Sequence, residues 1–112
     1  HVNGLRNKFS EPDDVVVQSA RSVQAPLFAH QAMPAVPVFI SAQTGLQAHD
    51  TYAALGNDDL IVTAGGGIFG HPQGVAAGVT ALRDAWDAAR HGQTLQEAAK
   101  DRPELRAALT FW

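Results

Sequence analysis

Three short stretches of this chain carry residues whose types and spacing could do chemistry. Residues 64–74 read AGGGIFGHPQG, three bare glycines between an apolar run and a helical pattern. Backbone this bare either turns very tightly or lets another molecule come close. Gly65, Gly66 and Gly67 offer N–H groups with no side chain in the way, and a helix start beyond them would add its positive end. On the triplet alone, a tight turn and a phosphate cradle are equal alternatives. A Walker loop is excluded because Gly-Lys-Ser/Thr is absent, and GGGIFG fits the dinucleotide pattern only loosely. The second stretch is Ser41-Ala42-Gln43-Thr44, directly after an apolar run; Ser41 offers a hydroxyl and Gln43 an amide. The third is HVNGLRNKF, residues 1–9, a polar segment that carries His1 and Lys8.

The other titratable residues have plainer explanations. Histidine as a residue type can serve as a base, but the place of His71 before Pro72 suits a residue that fixes the turn. His30, His49 and His91 have no partners at metal-ligand spacing and read as surface residues. His49-Asp50 resembles half of a catalytic triad, yet no serine nucleophile motif accompanies it. A helix start explains Asp13-Asp14, and a turn explains Asp58-Asp59.

These residues need elements to hold them. Residues 1–9 read as a loop. Ser10-Glu11-Pro12 predicts a helix start, with Ser10 as cap, and the helix runs to about Ser22. Val15–Val17 leave a short strand there as the alternative. Residues 25–36 form an irregular approach to Val36–Ser41, a short apolar, β-branched run that suits a strand buried on both faces. AQTG is a loop, Gln47–Leu55 a short helix, and Gly56 its C-cap. Leu60–Thr63 is a second buried strand. From Gly74 a long helix shows apolar residues at Val79, Leu82, Ala85, Trp86 and Ala89, and Gly92 ends it. Thr94 and Glu97 have capping-box spacing, and Pro103 opens a last helix. Strands alternating with helices predict parallel βαβ units, so the fold class is α/β. Ligands in such folds bind at the carboxyl ends of strands, where the loops starting at His1, Ser41 and Ala64 are expected to lie.

The bulk properties narrow the classes. A chain of 112 residues suits one domain. Its net charge of −3, with both signs interspersed, argues against nucleic acid. No apolar run approaches the ~20 residues of a membrane span. The absence of cysteine excludes disulfides, thiolate metal sites and cysteine nucleophiles, and fits a cytoplasmic protein. The chain begins with His1 rather than Met, so its original N-terminus is expected to be missing or processed.

GGGIFGHPQG resembles the segment after the last barrel strand in the large subunit of ribulose-bisphosphate carboxylase (RuBisCO), MPAVPVFIS the strand before it, and HVNGLRNKF the flexible loop after the sixth strand. The resemblance covers essentially the whole chain. It implies the C-terminal arc of a TIM (β/α)8 barrel, with strands 7 and 8, and a larger parent that also has an N-terminal domain. It favours the RuBisCO-like proteins over the carboxylase. The carboxylase loop reads roughly G-T-V-V-G-K-L-E-G, against Gly4–Glu11 here, and its Ser-Gly-Gly is Ser41-Ala42-Gln43 here.

What the resemblance implies is an enzyme, a lyase or isomerase acting on a phosphorylated sugar or sugar acid through a Mg2+-stabilised enediolate or enolate. Gly65 and Gly66 would hold phosphate through backbone N–H groups, Ser41 would contact the substrate, and His1 would stand at a phosphate-contacting histidine. Lys8 would sit at the tip of a mobile loop and reach developing charge on closure. Gln43 would bind substrate in place of glycine backbone, or serve the loop alone. The Mg2+ ligands would come from earlier strands outside this chain, and the parent would be a homodimer or higher homo-oligomer. By itself the chain would hold part of a phosphate site and be inactive. The alternatives are the carboxylase itself and a non-catalytic, truncated phosphate-binding module.

Overall fold

The computed structural model describes residues 1–26, 28 and 35–112. Within them lie three short parallel strands, β1 (Val2–Asn3), β2 (Val38–Ile40) and β3 (Ile61–Val62), paired in the order β1-β2-β3. Val2 lies opposite Phe39, and Phe39 opposite Val62. The ladder extends past the strands: Gly4 N–H donates to Ile40 O at 2.7 Å, and Thr63 N–H to Phe39 O at 3.0 Å. Parallel strands need long crossovers. Helices α1 (Asp13–Gln24) and α2 (Ala48–Leu55) lie in those crossovers. The chain continues through α3 (Gly65–Phe69), α4 (Val75–Arg90), α5 (Leu95–Asp101) and α6 (Pro103–Phe111). The α/β class and the parallel order are as the sequence predicts.

Two cores result. Val2, Leu5, Val16, Ala20, Phe39 and Leu55 are buried between the sheet, α1 and α2. The second core is built almost wholly of alanine: Ala48, Ala85, Ala88, Ala89, Ala98 and Ala99 surround Leu105. Side chains this small let helices approach toward the short end of the usual 8–10 Å spacing. Tyr52, Trp86, Leu95 and Leu109 pack against its rim.

Several boundaries and roles differ from the sequence expectation. The segment read as an opening loop contains β1; two residues are too few for a periodic signal, and their pairing partner lies far along the chain. Ser10 does not cap α1. It takes a left-handed φ of 58°, and α1 begins after Pro12 with no side-chain cap. The helix prevails over a strand at Val15–Val17 and extends to Gln24. AQTG ends in a 3-10 turn, Gly45–Gln47, that precedes α2. The two predicted strands shrink at both ends and are not buried throughout, since Val36 is 52% and Ile61 51% exposed. In α4, Val79 faces solvent while Gly78 and Ala81 are buried, because the apposed helices select the smallest residues. The irregular approach at 25–36 and His30 lie largely or wholly outside the described residues.

Other expectations hold. Gly56 and Gly92 take left-handed φ of 73° and 68° after α2 and α4, and Thr94 and Glu97 form the reciprocal capping box. Thr44 and Gln47 form a second one that the sequence reading missed.

The short helix α3 depends on its neighbours, since five residues are too few for a stable free helix. A Cβ on Gly78 would overlap the Ile68 carbonyl, and one on Gly70 would lie 2.7 Å from Gly66 O. Beyond α3, the buried His71 accepts from Gln73 N–H through Nδ1, so Nε2 donates to Glu104 O at 2.9 Å. His71 thus joins the turn to α6, the structural role its sequence position suggests. Glycine to alanine in an open helix gains about 1 kcal/mol. Gly78→Ala is predicted to do the reverse and lower stability by about 1–3 kcal/mol through overpacking. Urea denaturation measures this; an unchanged or raised midpoint would show that α3 can move away from α4.

Candidate active site

Parallel strands put their carboxyl ends on one side of the sheet. The segments beginning at Gly4, Ser41 and Thr63 therefore share one edge. His1 does not start the first of them. It precedes β1 and is exposed, while the loop at the carboxyl end begins at Gly4.

Gln43 interlocks the three segments. It is only 4% exposed. Its Nε2 donates to Leu5 O at 3.1 Å and to Ser41 O at 2.8 Å. The amide fills the space that a Cβ on Gly4 would need. On the other side, a Cβ on Gly67 would lie 2.5 Å from Gln43 O. Gln43 is thus seated between two glycines, one in each neighbouring segment. The amide nitrogen serves the loop, the structural role left open in the sequence reading.

The lysine loop is organised by Asn7, which the sequence reading passed over. Asn7 is 8% exposed. Its Nδ2 donates to Gly4 O at 3.1 Å and Glu11 O at 3.0 Å, and its Oδ1 accepts from Phe9 N–H at 3.0 Å and Glu11 N–H at 3.2 Å. An Asn at position i with backbone partners at i+2 and i+4 is a loop signal visible in sequence. Arg6, with φ 50°, forms an ion pair with Asp50 at 2.6 Å and donates to Leu46 O at 3.2 Å. Lys8 is exposed; its N–H donates to Ser41 Oγ at 3.3 Å, and its Nζ lies 5.3 Å from the Phe9 ring centroid. Lys8 and Ser41, 33 residues apart in sequence, therefore meet at the site edge.

The glycine triplet is a helix start rather than a loop. Gly65, Gly66 and Gly67 form the first turn of α3, after Ala64. The first N–H groups of a helix have no partner within it. The glycines here have different causes. Gly56, Gly74 and Gly92 take left-handed φ, and Gly4, Gly45, Gly67, Gly70 and Gly78 leave no room for a Cβ. Gly65 and Gly66 have neither cause: their φ is not left-handed, and among the described residues a Cβ on either would meet nothing within 4 Å. Both are exposed at the carboxyl end of β3, where a ligand would approach.

Among the described residues, no group of three or more His, Cys, Asp or Glu could hold a metal ion. The residues present here do not fit a Mg2+ site. Asp58 pairs with Arg90 at 3.0 Å, and Asp50 with Arg6, so neither carboxylate is free for other work. His49 is not the surface residue expected; its Nε2 lies 2.6 Å from Gln93 O and joins α2 to the turn after α4. It makes no triad with Asp50.

A parallel α/β sheet with interlocked loops at its carboxyl edge belongs to the class of folds that bind ligands at the carboxyl ends of their strands. Comparison with known proteins gives the family. Residues 13–112 match the model of the ribulose bisphosphate carboxylase large chain, catalytic domain, and the chain belongs to this family. It is 60% identical over 112 residues to a 3-oxo-isoapionate-4-phosphate transcarboxylase/hydrolase of Xanthobacter autotrophicus, covering 100% of this chain and 27% of that protein. It is 47% identical over 109 residues to a 3-oxo-isoapionate-4-phosphate decarboxylase of Rhizobium etli, covering 96% of this chain and 26% of that protein. A crystal structure of a rubisco-like protein from Burkholderia fungorum superposes with a TM-score of 0.96 at 43% identity, covering 100% of this chain and 28% of that one. The chain thus spans about a quarter of the length of these relatives.

Ala42, at a position where the carboxylase pattern has glycine, follows Ser41 with φ of 54° against Ser41's 75°. The left-handed backbone of a glycine is kept without the glycine. Because Ala42 is exposed, Ala42→Gly loses no packing. It is predicted to raise stability by up to about 1 kcal/mol by relieving the left-handed cost. A lowered denaturation midpoint would show that the loop uses the Ala42 methyl.

Proposed function

We propose that this chain is the phosphate-binding part of a RuBisCO-like enzyme that decarboxylates a phosphorylated 3-oxo sugar acid. The observation that carries this reading is the pair Gly65–Gly66, bare for no reason found among the described residues. The activities named for the Xanthobacter and Rhizobium relatives support the substrate class. Gly65 and Gly66 N–H groups take the phosphate, with Ser41 as a further contact. The chain forms the last arc of a (β/α)8 barrel whose earlier strands belong to the rest of a homo-oligomeric parent. Any Mg2+ is held by residues outside this chain.

In a 3-oxo acid the carboxylate is two carbons from the ketone. Breaking the C1–C2 bond releases CO2, and its electron pair moves into C2–C3 as the ketone oxygen becomes an enolate. Protonation at C2 then completes the product. In this reading the Lys8 ammonium meets the negative charge that grows on that oxygen. Such help counts most where water is excluded. The ribulose-bisphosphate carboxylase reading is weaker, because Ala42 and Gln43 stand where that pattern has glycines and Gln43 is buried in the loop.

The test uses the full-length parent with 3-oxo-isoapionate 4-phosphate and follows CO2 release. Lys8→Ala is predicted to lower kcat by about 10²–10³ and to change KM far less. Unchanged turnover would remove Lys8 from the chemistry. Gly66→Ala should leave the fold intact or raise its stability by up to about 1 kcal/mol, since the Cβ meets nothing and helix propensity improves. The same methyl should raise KM by about tenfold or more by displacing the phosphate, a loss on the order of 1.4 kcal/mol. Unchanged KM would show that the phosphate lies elsewhere.

A further inference from the structure

We infer that Gln43 is a specificity-determining residue, whose Oε1 accepts a hydrogen bond from a hydroxyl group of the phosphorylated substrate. The inference rests on the reading of Gly65 and Gly66 as the phosphate contacts. Three buried side-chain amides, Asn7, Gln43 and Gln47, stand near the carboxyl edge. Each brings an acceptor oxygen and two donor hydrogens, and in a folded interior such groups find partners. Asn7 Oδ1 accepts from Phe9 and Glu11 N–H, and Gln47 Oε1 accepts from Thr44 N–H and Thr44 Oγ1 at 2.9 Å each. Gln43 departs from this pattern. Both its side-chain bonds leave from Nε2, and among the described residues nothing donates to its Oε1.

The amide cannot be reversed. Leu5 O and Ser41 O are carbonyl acceptors at 3.1 and 2.8 Å, so the nitrogen must face them and the oxygen must point elsewhere. The space beside Gly4 holds the whole amide, since a Cβ there would overlap Gln43 Cδ, Nε2 and Oε1. The direction of the oxygen is therefore set before any ligand arrives. The oxygen is not sealed in. Among the described residues, the one buried side-chain N or O atom without a partner is His49 Nδ1, on α2. Oε1 is thus reachable, although Gln43 as a whole is buried. Gln43 also lies beside the phosphate contacts, because its backbone O would be 2.5 Å from a Cβ on Gly67, the residue after Gly66. Chemistry then selects the ligand group. An ionised phosphate presents strong acceptor oxygens, and its charge repels a carbonyl oxygen. A hydroxyl offers a donor. The phosphate goes to the N–H groups of Gly65 and Gly66 and a hydroxylated carbon to Gln43, which fixes the direction in which the substrate lies.

Steady-state kinetics of the full-length enzyme test this, with 3-oxo-isoapionate 4-phosphate and with analogues that each lack one hydroxyl. The wild type is expected to prefer the parent compound over one deoxy analogue by about ten- to a hundredfold in kcat/KM, the effect of leaving one buried acceptor unpaired. Gln43→Met, of similar length but without the acceptor, should lose that preference, whatever rate it also loses through the untied loop. Gly4→Ala, which displaces the amide while position 43 is unchanged, should lose it too. A purely structural Gln43 would lower both rates together and keep their ratio. A retained ratio in either variant, or a wild-type enzyme indifferent to every missing hydroxyl, would overturn the inference. Where a variant fails to fold, a crystal structure of the wild-type enzyme with the 3-hydroxy analogue decides, since that compound has no ketone and keeps its carboxylate. A ligand hydroxyl on Gln43 Oε1 supports the inference; a water, a phosphate oxygen or a protein donor in its place overturns it. If the wild type releases no CO2, the substrate reading fails, and a glycerol 3-phosphate complex decides the inference by the same contact.

Discussion

The geometry of the carboxyl edge depends on one residue, Gln43, whose side chain and backbone each fit against a glycine of a neighbouring segment. The Gln43 side-chain amide fills the space above Gly4, and its backbone carbonyl occupies the space above Gly67. Its two donated bonds run to Leu5 O and Ser41 O, on either side of the first gap between segments. A buried amide is costly unless its polar atoms find partners, and satisfying them fixes the geometry around it. The lysine loop, the serine loop and the glycine helix are therefore held in one register by the same residue. A larger residue at position 4 or 67 would expel Gln43 and loosen all three.

The chain assigns its glycines and alanines to different tasks. Glycines permit contact between backbone and backbone or between side chain and backbone at the site edge. Alanines permit contact between helices behind it. Ala85 lies at the meeting of the two, since a Cβ on Gly45 would lie 2.9 Å from the Ala85 Cβ. The 3-10 turn that leads into α2 thus rests directly on α4, and the loop carrying Ser41 and Gln43 inherits the position of the helical core.

Much of this was legible in sequence, and what was not shares a physical cause. The long helix, the capping box at Thr94, the C-cap glycines and the parallel order follow from local signals that need no partner. β1 was missed because its two residues become a strand only through pairing with Phe39 and Ile40. Residue type and spacing predict Ser10 as a cap, while in the structure its N–H donates to Asn7 O and its φ is positive. Val79 was placed inside because periodicity counts apolar residues, whereas the packed face selects small ones. Lys8, Ser41 and Gln43 could be singled out by type and by resemblance. That Lys8 and Ser41 touch, and that Gln43 is seated on Gly4, depends on contacts between distant residues that no local pattern reports.

The alanine core has a consequence for how such a protein can change over time. Alanine has no side-chain rotamer to freeze, so packing it costs no side-chain entropy. It also has almost no near neighbours: adding one carbon overfills the seam, and removing one weakens the helix. A wall built this way cannot drift. The loops at the opposite end hold exposed Lys8, Ala42, Gly65 and Gly66, whose side chains or missing side chains bear on nothing behind them. Sequence novelty can accumulate at that edge without disturbing its support, so one rigid backing can serve successive active sites of different specificity.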